Sequence, residues 1–499
     1  MCKIIVFLVF CLFLYMSSFA WAANTCNATH TTSITNEKHN CNADDTFTVT
    51  YANDNPTKLN RGSDTTIDIG SSDDNVTINN YGWIANTKNK TIKAAGMDNL
   101  IINNYDGGII SSTKSSAIYI RDPEGIRINN YEGGTIRSGT YGTIFNDNGL
   151  SGDLYIHNEG LIQTLTTNLT GCKTGSSPWA DLICRSAIGI VGGGGATTIV
   201  NTASGVISAT NQQKAAIKVN DDANATITNY GTISGHSRDI YIIDSGNETG
   251  TTINLGGSPT FNNGIDTNNT TVNIVLQNDI SAAFSVTIYD SQSGLSVTDN
   301  LPSNYTYSLT EPAEDLDSDG TSDDRVLSVV TVPILSSSSP ADGASNVGVN
   351  DNIVLTFSEA VDAESGNIVI KKSSDDSVVE TIDVTGSKVS GSGSTTITID
   401  PSSTLDQATG YYITIAATAF DSANSVSYTG INDSTTLNFT TGASDPLEDK
   451  DVVGSIEAQV DVAKEIIHHS TIPVLNRMEW IRRHSEENDL SHRGIKVSF

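Results

Sequence analysis

The fold is decided by a short stretch, Val76-Thr77-Ile78-Asn79-Asn80-Tyr81-Gly82-Trp83-Ile84, which returns along the chain in altered copies. The aligned asparagines of these copies are residues 80, 104, 130, 158, 201 and 229, separated by 24, 26, 28, 43 and 28 residues. A second, more apolar segment such as Ala117-Ile118-Tyr119-Ile120 lies between the copies. A unit this short, with two predicted strands, cannot bury its apolar side chains alone and must stack on copies of itself.

This pattern predicts a parallel β-helix over residues 61–280, preceded by an N-terminal cap over 23–60. Stacked asparagine side chains can form a hydrogen-bonded ladder, and the glycine that follows them permits a tight turn. Inward isoleucine and valine side chains then fill the interior. At about 4.8 Å per coil, roughly six to eight coils make a rod of roughly 30–40 Å.

Composition excludes one class of partner. The 499 residues include 57 acidic and 27 basic side chains, which gives a formal charge of −30. Such a chain repels phosphate backbones, so we expect no nucleic acid partner. Serine, threonine, asparagine and glycine replace many of the usual charged residues, and they favour strands and turns over helices.

The N-terminal residues 1–22 have the pattern of a signal peptide. Lys3 provides a positive region, residues 4–15 are apolar, and Ala20-Trp21-Ala22 is a small-x-small cleavage signal, with cleavage predicted between Ala22 and Ala23. No later segment contains about 18 consecutive apolar residues, as a transmembrane helix requires. We therefore expect an exported protein.

Four cysteines remain after this cleavage: Cys26, Cys41, Cys172 and Cys184. An even number in an oxidising compartment indicates disulfides, most simply 26–41 and 172–184. Metal ligation is disfavoured because neither pair has CxxC spacing or a neighbouring histidine. The interval of 43 contains the second pair, so we predict a loop closed at its base. Trp179 near its tip either takes part in recognition or folds back on the coil.

An enzyme is the alternative class, because parallel β-helices include polysaccharide lyases and hydrolases. Three elements, Asp221-Asp222, Gly235-His236 and Arg238, resemble those of polygalacturonases. In that family the elements come from successive coils, whereas here they share one coil. We expect them to be solvated turn residues, and we predict no catalytic residues.

The repeats resemble the passenger domains of bacterial autotransporters, whose β-helices carry similar Asn-x-Gly-x-Ile signatures. This resemblance implies a non-enzymatic passenger that is secreted or lies at the cell surface of a Gram-negative bacterium. Its expected role is adhesion or surface structure, and its expected partner is a surface glycan or protein.

Residues 281–332 are predicted to form a β cap and an Asp-rich linker. Aspartates at positions 1, 3, 5 and 9 of the segment from residue 315, with Gly320 at position 6, match the first part of a calcium loop. Val326 stands at position 12, where an EF-hand has glutamate, so the segment is not an EF-hand; it resembles Asp-rich calcium loops of extracellular bacterial linkers. The candidate ligands are Asp315, Asp317, Asp319, Thr321 and Asp323. A plain acidic turn is the alternative.

Residues 333–442 alternate with the period of strands, which favours an antiparallel sandwich. They resemble the bacterial Ig-like domain of S-layer type in the segments 339–344, 347–350, 353–361 and 397–401. Asp421-Ser422-Ala423-Asn424 lacks the glycine expected in that loop. The predicted fold class is therefore all-β: a parallel β-helix (solenoid), an Ig-like antiparallel β-sandwich and a C-terminal α-helix.

Residues 443–499 begin with apolar side chains at helical spacing, from Val452 to Ile467. A turn is predicted at Pro473, followed by the alternating segment 490–499. This tail resembles the pore helix and first barrel strand of autotransporters; a helix packed on the Ig-like domain is the alternative. A barrel needs about twelve strands of about ten residues, and this chain supplies at most one. An outer-membrane barrel is therefore expected as a partner in cis or in trans.

The loop prediction can be tested on the mature protein prepared without reductant. Peptide mapping should link Cys172 to Cys184 and find no free thiol at either. In the chain-entropy model, a disulfide that closes a loop of about 12–15 residues stabilises the loop by up to roughly 3 kcal/mol. Double substitution to serine should make the loop tip easier to cleave and leave the β-sheet circular dichroism intact. A crosslink from Cys172 to Cys26 or Cys41 would contradict the prediction.

Overall fold

The computed structural model forms two compact units, Met1–Val332 and Pro333–Phe499. It describes these residues: 29–30, 34–35, 39–41, 44–52, 55–56, 58–61, 64–70, 74–121, 124–146, 152–165, 186–191, 193–210, 215–220, 224–243, 250–268, 270–291, 294–317, 323–443 and 450–487. Ala22, Ala23, Cys26, Cys172, Trp179, Cys184, Asp319 and Thr321 lie outside them, as do Asp221 and Asp222.

The first unit is a solenoid of three sheets, whose strands follow one another around each coil. Sheet 1 is parallel and consists of β1 (Thr29–His30), β4 (Thr46–Val49), β9 (Thr77–Asn80), β12 (Asp98–Asn104), β15 (Glu124–Asn130), β18 (Leu154–Asn158), β21 (Thr197–Asn201), β24 (Ala225–Asn229), β27 (Thr251–Leu255), β30 (Val272–Leu276) and β32 (Leu295–Asp299). Sheet 2 is parallel and consists of β2 (Ile34–Thr35), β7 (Lys58–Arg61), β10 (Trp83–Asn86), β13 (Ile109–Ser112), β16 (Thr135–Ser138), β19 (Leu161–Thr164), β22 (Val206–Ala209), β25 (Thr232–Ser234) and β28 (Thr260–Phe261).

Sheet 3 closes the solenoid. It consists of β3 (His39–Cys41), β8 (Ile67–Ile69), β11 (Ile92–Ala95), β14 (Ile118–Arg121), β17 (Ile144–Asn146), β20 (Ile188–Ile190), β23 (Ala215–Asn220), β26 (Arg238–Ile243), β29 (Ile265–Asp266), β31 (Phe284–Tyr289), β34 (Arg325–Thr331) and β33 (Tyr305–Thr310). The last two strands pair antiparallel and extend the sheet at its C-terminal edge. A short hairpin, β5 (Tyr51–Ala52) and β6 (Asn55–Pro56), lies outside the three sheets.

The parallel β-helix is confirmed, but the prediction of two strands per repeat is wrong: each coil has three. The quoted stretch bends at Tyr81-Gly82, so its two halves lie in β9 of sheet 1 and β10 of sheet 2. The apolar segment between copies forms sheet 3. Seven such coils, β9 to β29, cover residues 77–266.

Isoleucine fills the interior in continuous stacks. In sheet 3 the residues in register from coil to coil are Ile67, Ile92, Ile118, Ile144, Ile188, Ile217, Ile240, Ile265 and Ile288, all with no exposed surface. Branched side chains pack well on a pleated surface, and each fully buried one contributes about 1.5–3 kcal/mol. The core is therefore one column along the solenoid.

A buried asparagine ladder runs along the corner after sheet 1. Each Nδ2 donates to the Oδ1 of the next asparagine, in the order Asn80, Asn104, Asn130, Asn158, Asn201 and Asn229, at 2.7–2.9 Å. The ladder ends because Leu255 follows Asn229 in register, and the Nδ2 of Asn229 has no acceptor among the described parts of the chain. Gly108 is required beside it, because a Cβ there would lie 2.5 Å from the Asn80 carbonyl oxygen.

The ladder crosses the interval of 43 residues without a break. β18 pairs directly with β21, and Asn158 lies opposite Asn201. The additional residues therefore lie between β19, which ends at Thr164, and β20, which begins at Ile188. This placement agrees with an insertion from one coil, although the two cysteines and Trp179 themselves lie outside the described residues.

The second unit contains a β-sandwich of two sheets around one apolar core. Sheet 4 consists of β35 (Leu335–Ser339), β37 (Ile353–Ala363), β41 (Ser394–Ile399), β40 (Val389–Ser390) and β43 (Phe420–Ser422). Sheet 5 consists of β36 (Ala344–Val347), β44 (Asn438–Thr441), β42 (Gly410–Ile415), β38 (Asn367–Lys372) and β39 (Val378–Asp383). All pairs are antiparallel except β36 with β44. Within this core Phe357 of β37 contacts the rings of Phe420 and Tyr428.

The chain then forms one helix, α1 (Lys450–Glu487). The predicted turn at Pro473 is wrong, because the helix continues through this residue. A proline removes one backbone hydrogen bond, which a helix of 38 residues tolerates. The described side chains of α1 are exposed or half-exposed, so they do not pack on the sandwich as the alternative required. Within the described residues, no helix has the length and apolar character needed to cross a membrane.

The ladder predicts that Asn104→Ala destabilises the solenoid strongly. The substitution leaves the buried Asn80 amide without an acceptor and Asn130 Oδ1 without a donor. We expect a loss of about 3 kcal/mol in the free energy of unfolding, measured by urea denaturation. Asn103→Ala is the matched control, because this half-exposed neighbour should cost less than about 1 kcal/mol. Equal losses would contradict the role of the ladder.

The sandwich should lose stability in acid through Glu380, which is 8% exposed. Burial alone would raise its pKa, but Lys388 at 2.5 Å and the backbone N–H groups of Ser402 and Ser403 outweigh burial and lower the pKa of Glu380 to about 2. The stabilisation is complete above the unfolded pKa and is lost as pH falls through the folded pKa.

Glu380→Gln should therefore lower the stability of the second unit by about 2 kcal/mol at pH 7, a value reduced by solvent screening of the half-exposed lysine. The difference should disappear near pH 2, as followed by thermal denaturation. The exposed Glu364→Gln is the control and should match the wild type. A Glu380→Gln deficit that is the same at all pH values would refute this assignment.

Candidate functional site

The outer face of sheet 1 is the candidate binding site. Along its strands every second residue points into the core, so the residues between them point outward. In β9, β12, β15 and β18 the outward residues are Thr77, Asn79, Ile101, Asn103, Arg127, Asn129, Tyr155 and His157, none of which is buried. They combine aromatic, amide and cationic side chains on one surface.

Three tyrosines form a stack at the corner of this face. Tyr81, Tyr105 and Tyr131 each follow one asparagine of the ladder. Their ring centroids lie 4.2 and 4.9 Å apart, with planes within 10° of parallel. Burial, and then hydrogen bonding to Tyr81, raise the pKa of Tyr105 to about 12, so its phenol stays neutral at physiological pH. Tyr81 is exposed and Tyr105 and Tyr131 are half-exposed, so the stack lies at the surface.

A second, half-exposed row of amides lies beside the stack. Asn103 Nδ2 donates to Asn79 Oδ1 at 2.9 Å, and Asn129 Nδ2 donates to Asn103 Oδ1 at 2.8 Å. An amide can donate two hydrogen bonds and accept two. Each of these side chains therefore keeps hydrogen-bonding capacity toward the solvent after the row is formed.

A cleft of 240 Å³ opens at the other end of the same strands, between Asn99, Gly125, Arg127, Asp153 and Tyr155. Its cause is local. Asn99 and Gly125 occupy equivalent left-handed positions, with φ of 56° and 79°, but the glycine has no side chain to continue the row. The space beside the next strands is therefore left open.

Arg127 gives the cleft a cationic wall. Its guanidinium lies 4.2 Å from the ring centroid of Tyr155, a cation–π contact. Among the described residues it forms no ion pair with a carboxylate, which is unusual in a chain of charge −30. Asp153 is the only acidic group among the described residues that line the cleft, and it accepts a hydrogen bond from the Ala196 N–H at 3.0 Å.

The combination of tyrosine, amide and guanidinium groups on the outer face of sheet 1 suits a saccharide ligand. Stacked tyrosines offer apolar ring edges and polar hydroxyls to a sugar, and neutral amides exchange hydrogen bonds with sugar hydroxyls. A guanidinium can bind a carboxylate through two parallel hydrogen bonds. The three stacked tyrosines occupy the same position in successive repeats, which is a signal that the sequence contains. The sequence analysis nevertheless did not identify them as functional, and it did not identify Arg127 or Tyr155.

The predicted Asp-rich segment lies away from the outer face of sheet 1. Asp315 and Asp317 come together with Asp324, not with Asp323, against the last coils of the solenoid. Burial, and then the neighbouring Asp266 carboxylate, raise the pKa of Asp290 to about 7. This end of the solenoid therefore carries a surplus of closely spaced carboxylates.

Two other predicted groups remain separate from the candidate face. Cys41 is buried at the end of β3, and its predicted pairing with Cys26 stays a prediction. Arg238 of the enzyme-like set is bonded to Asp266 and Asp317, each at 3.1 Å, and stacks on Tyr289. The Arg238 guanidinium is therefore paired with carboxylates of the protein itself.

Comparison with known proteins identifies one region. The family model of the bacterial Ig-like domain, Big_5, matches residues 329–441, which include the whole sandwich. No curated protein and no solved structure matches the chain.

Proposed function

We propose that this protein is a non-enzymatic, passenger-like protein of the bacterial cell surface, which binds saccharide on the outer face of sheet 1. One observation carries the proposal: the tyrosine stack, the outer amide row and the Arg127 cleft share a single face of the solenoid. A row of equivalent groups repeated from coil to coil suits a ligand that is itself a chain of similar units.

The architecture supports a surface location. Bacterial Ig-like domains occur in bacterial surface proteins, and a solenoid presents a long uninterrupted binding face. Adhesion or a structural role at the surface agrees with this pairing of modules. We include export through the N-terminal signal sequence in the proposal, and a Gram-negative source.

The autotransporter-like route belongs to the same proposal. Helix α1 supports it, because several of its described apolar side chains, among them Val462, Ile466 and Trp480, are about 60% exposed. Such side chains suit enclosure by a partner, and an outer-membrane barrel in cis or in trans is the partner we propose.

Saccharide binding is tested with the purified full-length mature protein on an array of neutral and acidic oligosaccharides, followed by calorimetry. Tyr105→Ala and Tyr155→Ala should each weaken binding about tenfold, because one aromatic contact of about 1.4 kcal/mol is lost. Arg127→Gln should weaken binding of acidic saccharides more than of neutral ones.

Tyr241→Ala is the matched control, because this half-exposed tyrosine lies on sheet 3, away from the proposed face. Its affinity should equal that of the wild type. Equal losses from Tyr105→Ala and Tyr241→Ala would contradict the assignment to sheet 1. Release of reducing ends or unsaturated products from the bound saccharide would instead favour a polysaccharide lyase or hydrolase.

A further inference from the structure

A compact group of carboxylates lies at the C-terminal end of the solenoid. Asp315 and Asp317 precede the linker residues 318–322, and Asp324 follows them just before β34. One oxygen from each of the three carboxylates lies within 4.8 Å of the others. Calcium binds six to eight oxygens at about 2.3–2.6 Å, so ligand oxygens at such separations can share one ion.

Asp324 provides an independent observation. It is 2% exposed, and its Oδ2 accepts a hydrogen bond from the Leu316 N–H at 2.7 Å. Its Oδ1 is buried, and none of the residues that the structure describes donates a hydrogen bond to it. A buried carboxylate oxygen without a partner is costly, and a cation is the partner that a donor-free oxygen can take.

The solenoid holds the segment that carries these ligands. Ser291 donates to the Asp323 carbonyl oxygen from both its backbone N–H and its hydroxyl, at 3.2 and 2.8 Å. Arg238 Nη2 donates to Asp317 Oδ2 at 3.1 Å. Because a carboxylate has two oxygens, Asp317 can bond the guanidinium and a metal ion at the same time.

Charge balance favours a divalent cation. Asp266, Asp290 and Asp317 interact electrostatically around Arg238. The Arg238 guanidinium bonds Asp266 and Asp317. The Arg325 guanidinium pairs with Glu311 and donates to the carbonyl oxygen of Asp324, so the two cations are bonded to groups other than the Asp324 carboxylate. An all-carboxylate set is hard and oxygen-rich, which suits calcium better than zinc, whose sites use cysteine and histidine.

We propose that Asp315, Asp317 and Asp324 bind one calcium ion, which fastens the linker segment to the end of the solenoid. Sequence spacing predicted Asp323 as a ligand, but Asp324 is the residue that joins Asp315 and Asp317. The site is independent of saccharide binding, because it lies on residues that do not contribute to the outer face of sheet 1.

The test uses the full mature chain, freed of metal with a chelator and titrated with calcium chloride alone. Calorimetry should show one ion per chain, with a dissociation constant of about 10⁻⁴–10⁻³ M or tighter. At saturating calcium the melting temperature should rise by about 3 °C or more and return on chelation. An unchanged melting curve and the absence of heat would overturn the proposal.

Asp324→Asn removes one charge and keeps the size of the side chain, so it should weaken calcium binding at least tenfold. Asp315→Asn is a second variant at a half-exposed position, which keeps the test decisive if the first fails to fold. The exposed Asp299→Asn is the control and should bind as the wild type does. Variants at 315 and 324 that titrate like the control would overturn the site, and an equal response to magnesium would overturn its assignment to calcium.

Discussion

The hydrogen-bonded ladder of buried asparagines is the constraint on which the solenoid depends. An isoleucine column supplies most of the burial, but apolar packing is non-directional and does not by itself fix the register. A buried amide must find both a donor and an acceptor, and here the equivalent asparagines of the adjacent coils supply them, together with backbone groups of the following turn, such as the Gly108 carbonyl oxygen that accepts from Asn104. A shift of one residue in the pairing register of a strand would leave several amides unpaired and turn the core residues outward.

The same constraint organises the surface. Because Asn80, Asn104 and Asn130 are held in phase, the tyrosines that follow them are aligned as well. Strands in a sheet lie about 4.7–4.9 Å apart, close to the 4.2 and 4.9 Å between the stacked rings. The aromatic stack is thus a consequence of the ladder, and the proposed binding face inherits its regularity from the core.

The solenoid changes character where the ladder ends. After Asn229 the equivalent position is Leu255, the strands of sheet 2 stop at β28, and sheet 3 acquires the antiparallel strands β33 and β34. Regular stacking gives way there to specific polar contacts, centred on Arg238 and its aspartates. The capping end of the solenoid is therefore the place where charge, rather than periodicity, determines the structure.

The sequence by itself determined the features that repeat or that have a local pattern. The sequence predicted the six asparagines of the ladder, the parallel β-helix, the sandwich and the existence of a C-terminal helix. Periodic burial requires apolar residues at regular intervals, and these intervals are visible in the sequence. The glycine after the asparagine indicated a turn, but the third strand of each coil was not predicted, since a bend between two short strands does not interrupt the alternation enough to be seen.

Only the tertiary structure decided which residues meet across coils. Arg127 reaches Tyr155, Arg238 reaches Asp317, and Asp324 joins Asp315, although these partners are up to 79 residues apart. The continuity of α1 through Pro473 was likewise not predictable from the general tendency of proline to end helices. The physical reason is common to the cross-coil contacts: stacking converts long separations in sequence into neighbouring strands, and side-chain contacts between strands depend on register, which single-residue propensities do not encode.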